Sequence, residues 1–182
     1  GGRAVLAGSP PSACMEPIFI EGLKELHASG LPFDVCIKPP ALPHFLHLAQ
    51  SCPQVMFILD HLGKPEGDFD GWKDSITALS QCPNVVLKLS GVEEWDVGAP
   101  AEHYLEHALT TFGADRCMFA SNWFVSAGFR FPYSRMVNLV RKALENIGAD
   151  ESQISAVFYE TARRVYRLNA QNDVSEAQSL SG

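Results

Sequence analysis

The sequence predicts an α/β protein, a partial (β/α)8 TIM barrel that supplies about strands 4–8 with their helices. Three observations carry this expectation. Short apolar runs alternate with longer amphipathic stretches. The joins between them recur every 30 to 35 residues, the length of one strand-helix unit. Polar side chains fall just past the ends of the apolar runs, where barrel enzymes place their chemistry.

The expected strands are Ala4–Ala7, Phe33–Lys38, Val55–Leu59, Val85–Leu89 and Cys117–Ala120. Each is short and most are continuously apolar, which suits parallel strands buried on both faces. Helices are expected between them. Pro17 suits a first helical turn, Phe19, Leu23 and Leu26 form a stripe, and Gly30 supplies the stop. A second helix covers about Leu42–Gln50, and a third follows Asp70 with Trp72, Ile76 and Leu79 on one face. The fourth starts at Pro100 and buries Leu105, Leu109 and Phe112 before Gly113. The fifth starts near Pro132, and a sixth is capped by Asp150 and runs to about Leu168. The barrel part is therefore expected over 1–168, with residues 169–182 as a disordered polar tail.

The joins are near copies. Ser51-Cys52-Pro53-Gln54-Val55 and Gln81-Cys82-Pro83-Asn84-Val85 each use a proline to stop a helix before a valine opens a strand. Gly113-Ala114-Asp115-Arg116-Cys117 does the same work later. Such alternation also fits a doubly wound sheet, but no Gly-x-Gly-x-x-Gly turn follows the first strand. Lys38, Asp60-His61, Ser90 and Ser121-Asn122 end successive strands and favour the barrel. Five strands cannot close a barrel of roughly 250 residues. The start at Gly1 rather than Met places the missing strands upstream, and five units alone are expected to be unstable at their open edges.

Composition excludes several classes of function. The net charge of -7, with 14 dispersed basic residues, argues against a nucleic-acid partner. No apolar run approaches the roughly 18 residues that cross a membrane, and no signal-type segment opens the chain. The five cysteines lack any Cys-x-x-Cys pair, which fits reduced thiols and a cytoplasmic location.

Several segments resemble the amidohydrolase-related family of lactonase-like barrel hydrolases, which includes sugar-acid lactonases and the pyrone-dicarboxylate lactonase. Asp60-His61-Leu62-Gly63-Lys64-Pro65 is similar to its Asp-His-x-Gly-Lys-Pro segment. Gly30-Leu31-Pro32-Phe33-Asp34, Asn84-Val85-Val86-Leu87-Lys88-Leu89-Ser90-Gly91 and Arg116-Cys117-Met118-Phe119-Ala120-Ser121-Asn122-Trp123 resemble further strands in the family's order. Ala162-Arg163-Arg164-Val165-Tyr166-Arg167-Leu168 resembles the closing helix. The family's first strand carries a His-x-His pair that this chain lacks; His44 and His47 are three apart on a helical pattern and read as a helix face.

The resemblance implies a hydrolase that opens a lactone or similar cyclic ester of a small acid. His61 would be catalytic, polarising a carbonyl, and would ligate a metal only if the enzyme is metal-dependent; the other reading is a packed histidine tied to Asp60. A divalent metal, Zn or Mn, or no cofactor are both open, because hydrolysis can use metal-bound water or side chains alone. Arg3 would bind a substrate carboxylate, or is an ordinary surface arginine. Ser90 would hydrogen-bond substrate, or cap its strand, and Trp123 would contact substrate beside it. Asn122 occupies the place of the family's aspartate base and has no ionisable group for that work. A superfamily decarboxylase and a non-catalytic homologue are therefore the alternatives.

Overall fold

The computed structural model describes residues 1–92 and 99–168. The tail expected to be disordered, residues 169–182, lies outside the described residues. Five parallel strands form one sheet in the order of the chain: β1 (Gly2–Val5), β2 (Phe33–Cys36), β3 (Phe57–Leu59), β4 (Val85–Leu89) and β5 (Cys117–Phe119). The order has no reversal, so there is no switch point of the doubly wound kind. It is the consecutive wall of a (β/α)8 barrel.

The helices are α1 (Pro17–Ala28), α2 (Leu42–Ser51), α3 (Phe69–Ser80), α4 (Ala101–Phe112), α5 (Val125–Gly128), α6 (Tyr133–Asn146), α7 (Glu151–Ser155) and α8 (Thr161–Tyr166). Two boundaries differ from expectation for local reasons. The Val55 amide bonds back to the Cys52 carbonyl at 3.0 Å, so Val55 closes the turn and β3 begins at Phe57. The Asp68 carboxylate accepts from the Gly71 amide, so α3 starts at Phe69 with Asp70 already in its first turn. The first strand also sits earlier than expected, with Gly2 paired to Phe33 and Val5 to Cys36. The sixth helix holds its Asp150 capping box but widens into a π-turn over Ala156–Glu160, and the short α5 was not foreseen.

Strand alternation divides the sheet into two faces. Phe57, Leu59, Val85, Leu87 and Cys117 belong to the main core beneath the helices. Ile58, Val86 and Met118 belong to the other face, where Val165, Ala162 and Tyr166 of α8 pack against them. This second face is the one a closed barrel turns inward.

The repeated joins are tied across units. The Asn84 amide shares its donors among the carbonyls of Ala49, Cys52 and Val55, each at 3.1 Å. Arg116 donates to the carbonyls of Ser80 and Cys82 in the preceding unit and to Phe112 in its own. These contacts satisfy carbonyls that helix ends leave without intrahelical partners.

Candidate active site

Of the polar groups expected at the strand ends, Asp60 and His61 come together with Ser90 near Arg3 and Lys88, whereas Lys38 pairs elsewhere, with Glu66. Asp60 follows β3 directly and is 1% exposed. Its two oxygens meet two cations: Arg3 Nη2 at 3.0 Å from Oδ2, and Lys88 Nζ at 3.1 Å from Oδ1. Lys88, from the middle of β4, also pairs with the Asp34 carboxylate of β2. Tyr166 of α8 donates its phenol to Asp34 Oδ1 at 2.8 Å, and its ring lies 5.5 Å from the Lys88 ammonium. Burial lowers the pKa of Lys88, but the Asp34 hydrogen bond and the Asp60 charge outweigh it and leave the pKa above the ordinary lysine value. Asp60 moves up instead, because its burial exceeds the stabilisation from Lys88 and Arg3. We take the ion pair as charged, since two cations stand against one buried carboxylate.

His61 is 7% exposed and sits in a turn of unusual backbone. His61, Leu62, Gly63 and Lys64 are successive left-handed residues with φ of 54°, 54°, 72° and 48°. Each non-glycine among them costs roughly 1–2 kcal/mol. Three contacts hold the turn in place. The Leu62 side chain is fully buried, its carbonyl accepts from Trp72 Nε1 at 2.8 Å, and His61 Nδ1 lies 2.8 Å from Ser90 Oγ. Gly91 (φ 78°) completes the seat: a Cβ there would lie 2.8 Å from His61 Cβ and Cγ. With Nδ1 facing Ser90, the chemistry expected of the ring falls to Nε2. His61 Nδ1 pairs with Ser90, while the Asp60 carboxylate faces Arg3 and Lys88.

Ser90 is 0% exposed, and its hydroxyl is directed to His61. Arg3 is half exposed, with Asp60 holding one edge of its guanidinium. Asn122 follows β5 in a left-handed conformation (φ 52°), which asparagine tolerates. Its carbonyl accepts from the Ser126 amide at 3.1 Å and hydroxyl at 3.3 Å, so the loop is built on the buried Ser126. Asn122 and His61 follow strands separated by β4, which sets their backbones about 10 Å apart. Trp123 is 54% exposed and lines a shallow pocket of about 270 Å³ with Ala127, Arg130, Phe131 and Pro132. Lys38 pairs with Glu66 at 2.6 Å across the loops.

Sequence reasoning missed Asp34, Cys36 and Tyr166 and gave Lys88 no role. A usable signal existed for one of them: a lysine between buried leucines on β4 needs a carboxylate, and Asp34 is the strand-borne carboxylate of β2. Cys36 ends β2, and its sulfur, an Asp60 oxygen and a His61 nitrogen lie within 4.8 Å of one another. Sulfur, oxygen and nitrogen donors suit zinc in kind. As arranged, however, the trio does not fit a divalent ion, since both Asp60 oxygens already face a cation. A metal held by His61 would need its remaining ligands from outside this trio. Burial also pushes the Cys36 thiol pKa up, with Lys64 pulling it partly back, so Cys36 is a poor nucleophile at neutral pH.

Comparison with known proteins adds the context. A family model described as Amidohydrolase matches residues 10–168. An uncharacterised protein of Sinorhizobium fredii is 34% identical over 164 residues, covering 87% of this chain and 54% of that protein. An L-fucono-1,5-lactonase of Burkholderia ambifaria is 27% identical, covering 90% of this chain and 59% of the enzyme. An L-rhamnono-gamma-lactonase of Scheffersomyces stipitis is 28% identical, covering 92% and 59%. The crystal structure of a zinc-bound amidohydrolase of Burkholderia multivorans superposes with a TM-score of 0.82 at 29% identity, over 92% of this chain and 64% of that one. The chain thus spans little more than half the length of these curated relatives.

Proposed function

Because this chain belongs to the amidohydrolase family, we propose that the complete protein is a hydrolase that opens a lactone of a small acid. The observation that carries the proposal is the ion-pair cluster of Arg3, Asp60 and Lys88, with His61, held by Ser90, beside Asp60. The lactonases among the relatives support the substrate class.

In this reading Arg3 binds the substrate carboxylate with the guanidinium edge turned away from Asp60. His61 polarises the lactone carbonyl. When Ser90 donates to Nδ1, the ring carries its proton at Nε2 and donates it toward the developing oxyanion. Ser90 positions the ring, and Trp123 forms part of the mouth. Asn122 orients the attacking water through its amide, and a second solvent water takes the proton that the amide cannot accept.

The test is turnover of a lactone panel by the complete protein, followed through acid release. His61→Ala is expected to lower kcat/KM by about 100-fold or more, and unchanged turnover would remove His61 from the site. The amide at Asn122 favours a second reading, a binding protein without turnover. Asn122→Asp separates the two: restored hydrolysis in an inactive parent supports loss of the base, and ligand binding with no turnover in either form supports the binding role.

A further inference from the structure

We propose that Tyr166, Asp34, Lys88 and Asp60 form a buried strut that positions Arg3, so that the last helix sets the aim of the substrate-binding arginine. The inference rests on the proposed role of Arg3 in holding a substrate carboxylate.

The strut is continuous. The Tyr166 phenol donates to Asp34 at 2.8 Å, Asp34 pairs with Lys88, Lys88 meets Asp60 Oδ1 at 3.1 Å, and Asp60 Oδ2 meets Arg3 at 3.0 Å. Its members come from α8, β2, β4, the end of β3 and β1. Two carboxylates and two cations balance within it, so no unpaired charge is left in the sheet interior. Each carboxylate has limited freedom. Asp60 is 1% exposed and Asp34 is 7% exposed, and the Lys88 side chain is 18% exposed. Arg3 is the exception. Its side chain is half exposed and would sample many rotamers without a fixed partner, and its ion pair is with Asp60. Neither Asp60 oxygen makes a contact of hydrogen-bond geometry, so the hold on Arg3 is the charge of a buried carboxylate at 3.0 Å from Nη2, which draws the guanidinium toward Asp60 and leaves its other nitrogens for a ligand.

Tyr166→Phe removes only the hydroxyl at the α8 end of the strut, where it meets Asp34 and Lys88, and leaves Arg3, Asp60 and His61 in place. In the complete protein we would compare γ-butyrolactone with its 3-carboxylated analogue. The expected result is a KM increase of about threefold to tenfold for the carboxylated lactone with kcat little changed, and no matching increase for the neutral one. The same KM for both lactones in wild type and variant would overturn the proposal. An independent readout needs no turnover: urea-unfolding midpoints in a cycle of Tyr166→Phe, Arg3→Gln and the double variant. Non-additive shifts support the strut. Additive shifts refute it, whatever the enzyme hydrolyses. Non-additivity in a protein that opens no lactone keeps the strut and sinks the activity reading instead.

Discussion

Gly91→Ala should damage this protein more than an ordinary left-handed glycine would, and the excess measures how closely His61 is seated. An alanine at φ 78° carries a backbone penalty of roughly 1–2 kcal/mol. Its Cβ would also lie 2.8 Å from His61 Cβ and Cγ and 2.9 Å from Nδ1, closer than real contacts allow. Relief requires His61 or the β4 end to move, at about 1–3 kcal/mol more. Gly67 supplies the control, with φ 67° and nothing within 4 Å of its hypothetical Cβ. Gly67→Ala should therefore show the backbone penalty alone. With a urea m-value of about 1–3 kcal/mol/M, an excess of 2 kcal/mol separates the two midpoints by roughly 1 M. His61→Gly removes the colliding atoms and suits φ 54°, so in that background Gly91→Ala should fall to the Gly67→Ala level. Equal effects of Gly91→Ala and Gly67→Ala in the wild-type background would refute the seating of His61 against Gly91.

Three further outcomes are expected. Ser90→Ala leaves His61 Nδ1 without its buried partner and should cost about 1–3 kcal/mol; kcat should fall further than that loss of folded protein explains, which steady-state kinetics on folded enzyme can check. Asn84→Ala strips donors from three carbonyls of the preceding unit and should cost a similar amount of about 1–3 kcal/mol, read as a lower urea midpoint with unchanged m. The Tyr166 pKa is pushed up to about 12, first by burial and then by its hydrogen bond to the Asp34 carboxylate, opposed by Lys88. The unfolded chain releases this proton from about pH 10, so the contribution is whole below that pH and is lost as pH rises toward about 12. Tyr166→Phe should flatten the decline in stability over that interval, and an unchanged slope would place the phenol elsewhere.

The fold was legible because periodicity and punctuation agree. Val85–Leu89 was read to the residue, since Pro83 and Asn84 mark its start and a buried apolar run fills it. Val55 misled because a β-branched residue after proline looks like a strand, while its amide was already committed to the turn. The site was legible as positions and not as partnerships. His61, Ser90 and Asn122 follow the ends of β3, β4 and β5 and Arg3 lies within β1, but which side chain meets which depends on register. Arg3 is aligned with Asp34 on the neighbouring strand, yet its ion pair is with Asp60 two strands away. The Tyr166 contact spans 132 residues of sequence, and no local pattern encodes it.

The cross-unit ties at the joins have a consequence for synthesis on the ribosome. The chain emerges from its N-terminal end, but the carbonyls of Ala49, Cys52 and Val55 receive their side-chain donor only when Asn84 appears about one unit later. Ser80 and Cys82 wait in the same way for Arg116, and Ala114 and Asp115 wait for Thr161. Each nascent unit is thus finished by its successor. Ribosomes stalled with Asn84 just inside and just outside the exit tunnel should carry chains that differ sharply in protease resistance around α2, with the step falling at the arrival of one amide side chain.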